Sequence, residues 1–279
     1  MRSTLVRGIF LSCTTVVAVL VPAQPASGVP STPVSAACGE PLAAAEVSEI
    51  VALSDLGTLP SGPSLPRLET TAARLNRITE ILAQHKDRRA TFALGLDALE
   101  QVAVLPLQRR ESEFDNPDYV HRLSIEVMGQ FLRNLHGEFS GGPVEARWAR
   151  HFELAHNCDL SLGHVTMAGY NAHFTVDMPH AVAAIGSQRA NARDYFTVLG
   201  TISSNRYVIV DRTKAVFGDA VGPALEALAG DRIVRIGFSG SNAINFANGL
   251  ALQSPFLRGL TEAQMNLVWR SIDTAVKTL

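Results

Sequence analysis

The sequence predicts an all-α, single-domain multi-helix bundle, on three observations. Apolar residues recur at three- and four-residue steps through most of the chain from Arg67 onward. Several segments open with a side chain suited to capping a helix N-terminus, Asn116 before Pro117 being the clearest. No alternation of strands with helices is present, which excludes a Rossmann or barrel architecture.

The elements follow in order. Leu42 to Leu53 reads as a short helix, and Gly57 to Pro66 as a linker too rich in Pro and Gly for regular structure. Leu68, Ala72, Leu75, Ile78 and Leu82 form one helical face; after a break near Asp87, Phe92, Leu96, Leu99 and Ala103 continue it. Asn116-Pro117 starts a helix whose face is Leu123, Val127, Phe131 and Leu135. Gly142-Pro143 is expected to open the helix through Trp148 and Phe152, and Asp159 to cap the one through Val165 to Phe174. Thr261 with Gln264 has capping-box spacing ahead of Met265, Val268, Ile272 and Val276. Arg206 to Val210 is β-like in composition, but it lies inside a periodic stretch from Asn191 to Phe217 and reads as helix.

The N-terminus has its own logic. Arg2 and Arg7 precede an apolar run of 14 residues, Gly8 to Val21, and then small residues and prolines to Gly28. That is the pattern of a secretory signal peptide, and the run is shorter than the ~20 residues a spanning helix needs. The expected organisation is a signal peptide over 1–28, a leader with a short helix and a Pro/Gly-rich linker over 29–66, and an α-helical domain over 67–279. Cleavage nearer Ala37 is the alternative. The chain is therefore read as secreted or extracytoplasmic, with no transmembrane segment after cleavage.

The signal would remove two cations and no acid, taking the net charge from −2 to −4. A charge of that sign and size excludes recruitment to nucleic acid or an anionic membrane by net charge alone. Arg outnumbers Lys by 21 to 3, a bias typical of GC-rich bacterial genomes. Cys13 leaves with the signal, so Cys38 and Cys158 remain, either as one disulfide or as two buried thiols.

The densest polar segment is central: His164, then Gly169-Tyr-Asn171-Ala-His173, Asp177 and Pro179-His180. His173 and Asp177 would share a face on a continuous helix; if Pro179 ends the helix earlier, Asp177 would cap the next one. Either way imidazole and carboxylate come together, as a metal site or an Asp-oriented base requires. A second set, Asp118-x-x-His121 and Glu153-x-x-His156, has the spacing used by di-iron bundles, without the two further Glu they need. Gly237-Phe-Ser239-Gly-Ser241 approximates a nucleophile elbow, but no histidine follows it, which excludes a serine hydrolase of that class.

Gly169-Tyr-Asn171-Ala-His173-x-x-x-Asp177-Met-Pro179 resembles the hallmark of a bacterial family catalogued as domain of unknown function 5995, over a span expected to run from about Arg67 to the C-terminus. Trp148 resembles that family's tryptophan ahead of the motif. Ala243-Ile244 stands where the family has Ala-Trp, marking a divergent member. The resemblance implies no established activity. His173, Asp177, Pro179 and His180 also resemble, in order, part of the signature of secreted all-α zinc phospholipases C and single-strand nucleases, with a shorter interval to the last His.

Two function classes follow. One is a metal-dependent hydrolase with His173 and Asp177 as ligands, joined by His164 or His180, zinc being the ion such a centre would use. The other is a non-catalytic helical protein binding a small ligand or a cell-surface partner, in which Asn171, His173 and Asp177 form a buried hydrogen-bond network.

Overall fold

Among the described residues every regular element is helical, including the β-like Arg206 to Val210 run, whose apolar side chains face other helices rather than a sheet. A computed structural model describes residues 36–218 and 232–277, with side chains from 240 onward in the second stretch. The signal-peptide expectation therefore lies outside the described residues. The helices are α1 (Ala44–Ser54), α2 (Ser64–Gln84), α3 (Ala90–Leu99), α4 (Leu105–Gln108), α5 (Pro117–Ser140) and α6 (Ala146–Ala155). They continue as α7 (Leu162–Ala172), α8 (Met178–Ala184), α9 (Ala192–Asn205), α10 (Tyr207–Phe217), α11 (Arg232–Leu252) and α12 (Arg258–Val276). Two π-helical turns interrupt the series, Glu100–Val104 between α3 and α4 and His173–Asp177 between α7 and α8.

The core forms where the periodic faces meet. Leu68, Ala72, Leu75, Ile78 and Leu82 of α2 are fully buried against α3 and α5. Phe92 of α3 occupies the centre, with the rings of Phe131, Trp148, Tyr170 and His173 at 5.2, 5.0, 5.3 and 5.0 Å. Offset and edge-on aromatic contacts of this kind add to the burial of their area. Ala90–Gln108, taken through the first π-turn, is long and apolar enough to cross a membrane; 78% of it is buried inside the protein, where it serves as the core helix.

Several helix starts differ from the sequence expectation. Asn116 caps α5 as expected, its side chain accepting from the Tyr119 amide at 3.0 Å. The Gly57 to Pro66 linker is shorter than expected, because α2 begins at Ser64 with Pro66 in its first turn, where a missing amide proton costs nothing. Gly142-Pro143 does not open α6: the chain leaves α5 through Gly141 at φ 72°, and Glu145 caps α6 by accepting from the Arg147 amide at 3.0 Å. Ser161, not Asp159, caps α7, accepting from the His164 amide at 3.1 Å. α12 starts a turn before Thr261, whose hydroxyl donates to the Leu257 carbonyl at 2.9 Å instead of capping.

Cys38 and Cys158 form a disulfide with their Cα atoms 5.4 Å apart. It fastens the segment before α1 to the loop between α6 and α7. Beside it, Asp87 and Arg89 make a fully buried ion pair of 2.5 Å, with Arg89 also 3.3 Å from Glu138 and stacked over Phe139.

Candidate functional site

The central motif sits in one continuous helical run. Pro179 cannot donate an amide proton, and the chain absorbs this by widening into the His173–Asp177 π-turn, closed by the Met178 amide donating to the His173 carbonyl. Asp177 therefore caps nothing: its side chain makes no cap hydrogen bond, and Oδ2 instead accepts from the Trp148 indole at 3.0 Å. His173 Nδ1 lies 3.9 Å from the same Oδ2, within ion-pair range and too far for a hydrogen bond. Burial pushes the Asp177 carboxyl up, against the opposing pull of His173 and Trp148.

Asn171 does not join that pair. Two residues away on a helix it points elsewhere, and its Nδ2 donates to the Trp269 carbonyl on α12 at 2.9 Å. The expected three-residue network is thus two separate contacts, His173–Asp177–Trp148 on one side and Asn171–Trp269 on the other.

The expected ligand set is not assembled. His164 is nine residues before His173, about 13 Å along a helix, and its charged surroundings are Arg150, Asp273 and Lys277. His180, half buried, faces Glu262, Asp177, Arg147 and Glu145. Burial lowers the pKa of both imidazoles. Among the described residues no three His, Cys, Asp or Glu side chains are grouped closely enough to hold a metal ion. The di-iron spacing resolves into local pairs: Asp118 with Arg122 at 2.8 Å, Glu153 with Arg150 at 2.9 Å, His156 with Glu138 at 3.3 Å, and His121 between Ser64 and the Gln108 carbonyl. Gly237 to Ser241 lies within helix α11, not at a strand-to-helix turn.

His173 instead faces an apolar cavity of about 100 Å³, walled by α3, α5, α7, α9 and α10 and by both π-turns. Phe92, Leu99, Leu123, Met128, Val198 and Leu199 supply much of its surface. Four buried polar atoms with no hydrogen-bond partner among the described residues belong to residues lining it: Glu100 Oε1, Tyr170 Oη, His173 Nδ1 and Arg206 Nε. Burial, followed by the nearby Asp97 carboxylate, pushes Glu100 up to about 8. Burial also raises the Tyr170 phenol. π-turns are frequent at functional sites because the extra residue re-aims side chains. Here they carry Glu100 and His173.

Close approach depends on two glycines. A Cβ on Gly95 would sit 1.9 Å from Tyr170 Oη, so the bare backbone of α3 is what admits the phenol. Gly169, the first residue of the motif, lets α7 close onto Phe92 and His151. A second cavity, of about 370 Å³, lies between α7, α11 and α12 and is lined by Asn171, Asn245, Asn248, Gln264, Met265 and Val268 among others. Tyr170 and Phe174, stacked at 5.9 Å, border both cavities.

Glu100 was the group that sequence reasoning missed. Its signal was available: Asp97 and Glu100 are the two charges in the otherwise uncharged run from Ala90 to Gln108.

A helical bundle with its motif buried around an apolar cavity is the class that fold and site define. The chain belongs to the Family of unknown function (DUF5995), whose model matches residues 68–234. That span contains the whole central motif, Glu100 and Trp148, and ends within α11 rather than at the C-terminus. No curated protein and no solved structure matches the chain.

Proposed function

We propose that this is an exported, non-catalytic binding protein that holds a small, largely apolar ligand in the cavity between the two π-turns. One observation carries the reading: an apolar chamber lined by four residues, Glu100, Tyr170, His173 and Arg206, each with a buried polar atom that lacks a partner among the described residues. Apolar walls with a few convergent polar groups are the ordinary composition of a ligand site. Buried polar atoms normally have partners, so four on the residues of one cavity argue for a ligand that supplies them. Solvent extraction of the purified protein followed by mass spectrometry tests this, together with binding of an apolar fluorescent probe. Ile202→Trp, at the cavity wall, should weaken probe binding by about tenfold or more. Equal binding by both proteins would overturn the assignment.

Export draws support from the Cys38–Cys158 disulfide, since such bonds persist in oxidising compartments. The mature chain should begin within a few residues of Val29, as N-terminal sequencing of secreted material would reveal. A species retaining Gly8 to Val21 would refute it.

The metal-dependent hydrolase is the second reading, favoured by the 3.9 Å approach of His173 to Asp177. It lacks a third ligand among the described residues. Stoichiometric zinc in the purified protein, lost in Asp177→Asn, would restore it.

A further inference from the structure

We propose that the ligand of this cavity is an apolar amine, and that the Glu100 carboxyl receives its nitrogen. The inference rests on the cavity-binding reading above and specifies the ligand's polar end. Glu100 is 4% exposed, opens the first π-turn and lines the cavity. Its Oε1 has no hydrogen-bond partner among the described residues, and the charged group that acts on its carboxyl is another carboxylate, Asp97.

The neighbours do not supply what it lacks. Asp97, three residues earlier, is occupied by Asn76 at 2.9 Å and Gln101 at 3.2 Å, and adds a second carboxylate to the same helix. From α7 and its π-turn the cavity is faced by Tyr170 and His173, from α5 by Ser124, from α9 by Tyr195 and Ser203, and after α9 by Arg206. Ser124 already accepts from Gln108 at 2.8 Å; Arg206 Nη1 donates to the Ser203 carbonyl at 2.6 Å, and its Nε, without a partner among the described residues, is not bonded to Glu100.

A buried carboxyl can be matched by a hydrogen-bond donor or by a cation, and an ammonium group is both. A carboxylate ligand could accept from Glu100 only while that carboxyl keeps its proton, and would set a second anion beside it once ionised. The proton balance follows. Burial keeps Glu100 mostly protonated at neutral pH, with its pKa about 8. When an alkylammonium ion binds, the Glu100 proton leaves to solvent and a carboxylate–ammonium pair remains. Affinity therefore rises with pH by up to about tenfold per unit below that value, then levels off.

The test is calorimetry on the mature protein with octylamine, octanol and octanoate, between about pH 6 and about pH 8, in two buffers of different ionisation enthalpy. Octylamine should bind about tenfold or more tighter than octanol and release close to one proton at the lower pH. Glu100→Gln should abolish the preference, octylamine and octanol then binding alike in that variant and without proton release; circular dichroism of that variant confirms the fold. Equal binding of octylamine and octanol without proton release would overturn the amine and leave the cavity reading intact. Tightest binding of octanoate would overturn it in favour of Arg206. Failure of all three to bind would sink both readings.

Discussion

The Trp148 indole donates to Asp177 Oδ2 at 3.0 Å across 29 residues of sequence, with Trp148 fully buried and Asp177 5% exposed. This bond ties the π-turn of the family motif to α6, and it is what holds the motif's carboxylate. Burial disfavours the ionised form of Asp177, so what the fold needs at this position is an acceptor for the indole more than a charge. Asp177→Asn should accordingly leave stability unchanged or slightly raised. Asp177→Ala should cost about 1–3 kcal/mol through the orphaned indole, and Trp148→Phe about 2–4 kcal/mol through lost packing and the orphaned carboxyl. Urea unfolding of the three variants checks this. Equal losses in Asp177→Asn and Asp177→Ala would mean that the charge itself is required.

Two buried groups contribute to the pH dependence of stability with opposite signs. His151 Nδ1 donates to the Val165 carbonyl at 3.1 Å, and burial takes its pKa down to about 4. Its depressed folded value means that the unfolded chain takes up the proton first, so stability falls as pH drops from 6.5 towards 4. Glu100 has the opposite sign. Its folded value of about 8 exceeds the ordinary 4.5, so stability present below 4.5 is lost as pH rises through 8. Each slope is about 1.4 kcal/mol per pH unit. The two cancel between the ordinary carboxyl and imidazole values, leaving a plateau there and a decline above it. Glu100→Gln should remove most of that decline and stabilise the protein at pH 7 by about 2–3 kcal/mol. A stability maximum above pH 8 would contradict the assignment of Glu100 as buried and unpartnered.

The helices α2 and α5 were legible because each buries a main face that is written as spacing, and α3, buried on nearly every side, showed as a continuation of the same apolar steps. The starts of α6, α7 and α12 were not, since eligible caps crowd the loops. Asp159 and Ser161 could each cap α7, and only packing selects Ser161. The π-turns carry no periodic signature; Pro179 announced an interruption but not whether the helix would end or widen. For the site, the residue types of the motif were readable and their partners were not. Asn171 and His173 look close in sequence, yet a helix turns them apart by about 200°. Trp148 and Asp177 meet only through the tertiary fold.

Gly169 makes a sharper test of the packing around the motif. A Cβ there would stand 2.9 Å from Phe92 Cβ and 3.1 Å from the His151 ring, so α7 would have to back away from α3 and α6 together. Gly169→Ala should destabilise by about 1–3 kcal/mol despite the better helix propensity of alanine. Gly200, exposed on α9 with nothing within 4 Å of its Cβ position, is the control. Gly200→Ala should stabilise by about 0.5–1 kcal/mol. Thermal unfolding of the pair separates propensity from contact, and gains in both would show that α7 has room to move.

A disulfide and a set of hydrogen bonds together clamp the start of the described chain. Cys38 is bonded to Cys158, 120 residues away. The same segment is also held without the sulfurs: the Glu40 amide donates to His85 O at 2.7 Å, Arg88 N to Ala37 O at 3.0 Å, and Ala37 N to Asp87 Oδ2 at 3.3 Å. Arg88 reaches across to the other side of the bond, donating to Asn157 O at 3.1 Å and Leu160 O at 2.9 Å. Because these contacts persist when the disulfide is cut, the native structure should survive reduction with its helical circular dichroism intact. The cost then falls on the unfolded chain, which regains the freedom that the long loop denied it, about 2–4 kcal/mol. Cys158→Ser should reproduce the effect of reduction, and Arg88→Ala added to it should lower stability further, since it removes the hydrogen bonds that still join the two sides. An unfolding midpoint unmoved by reductant, or two alkylatable thiols in the denatured, non-reduced protein, would show that the bond does not form.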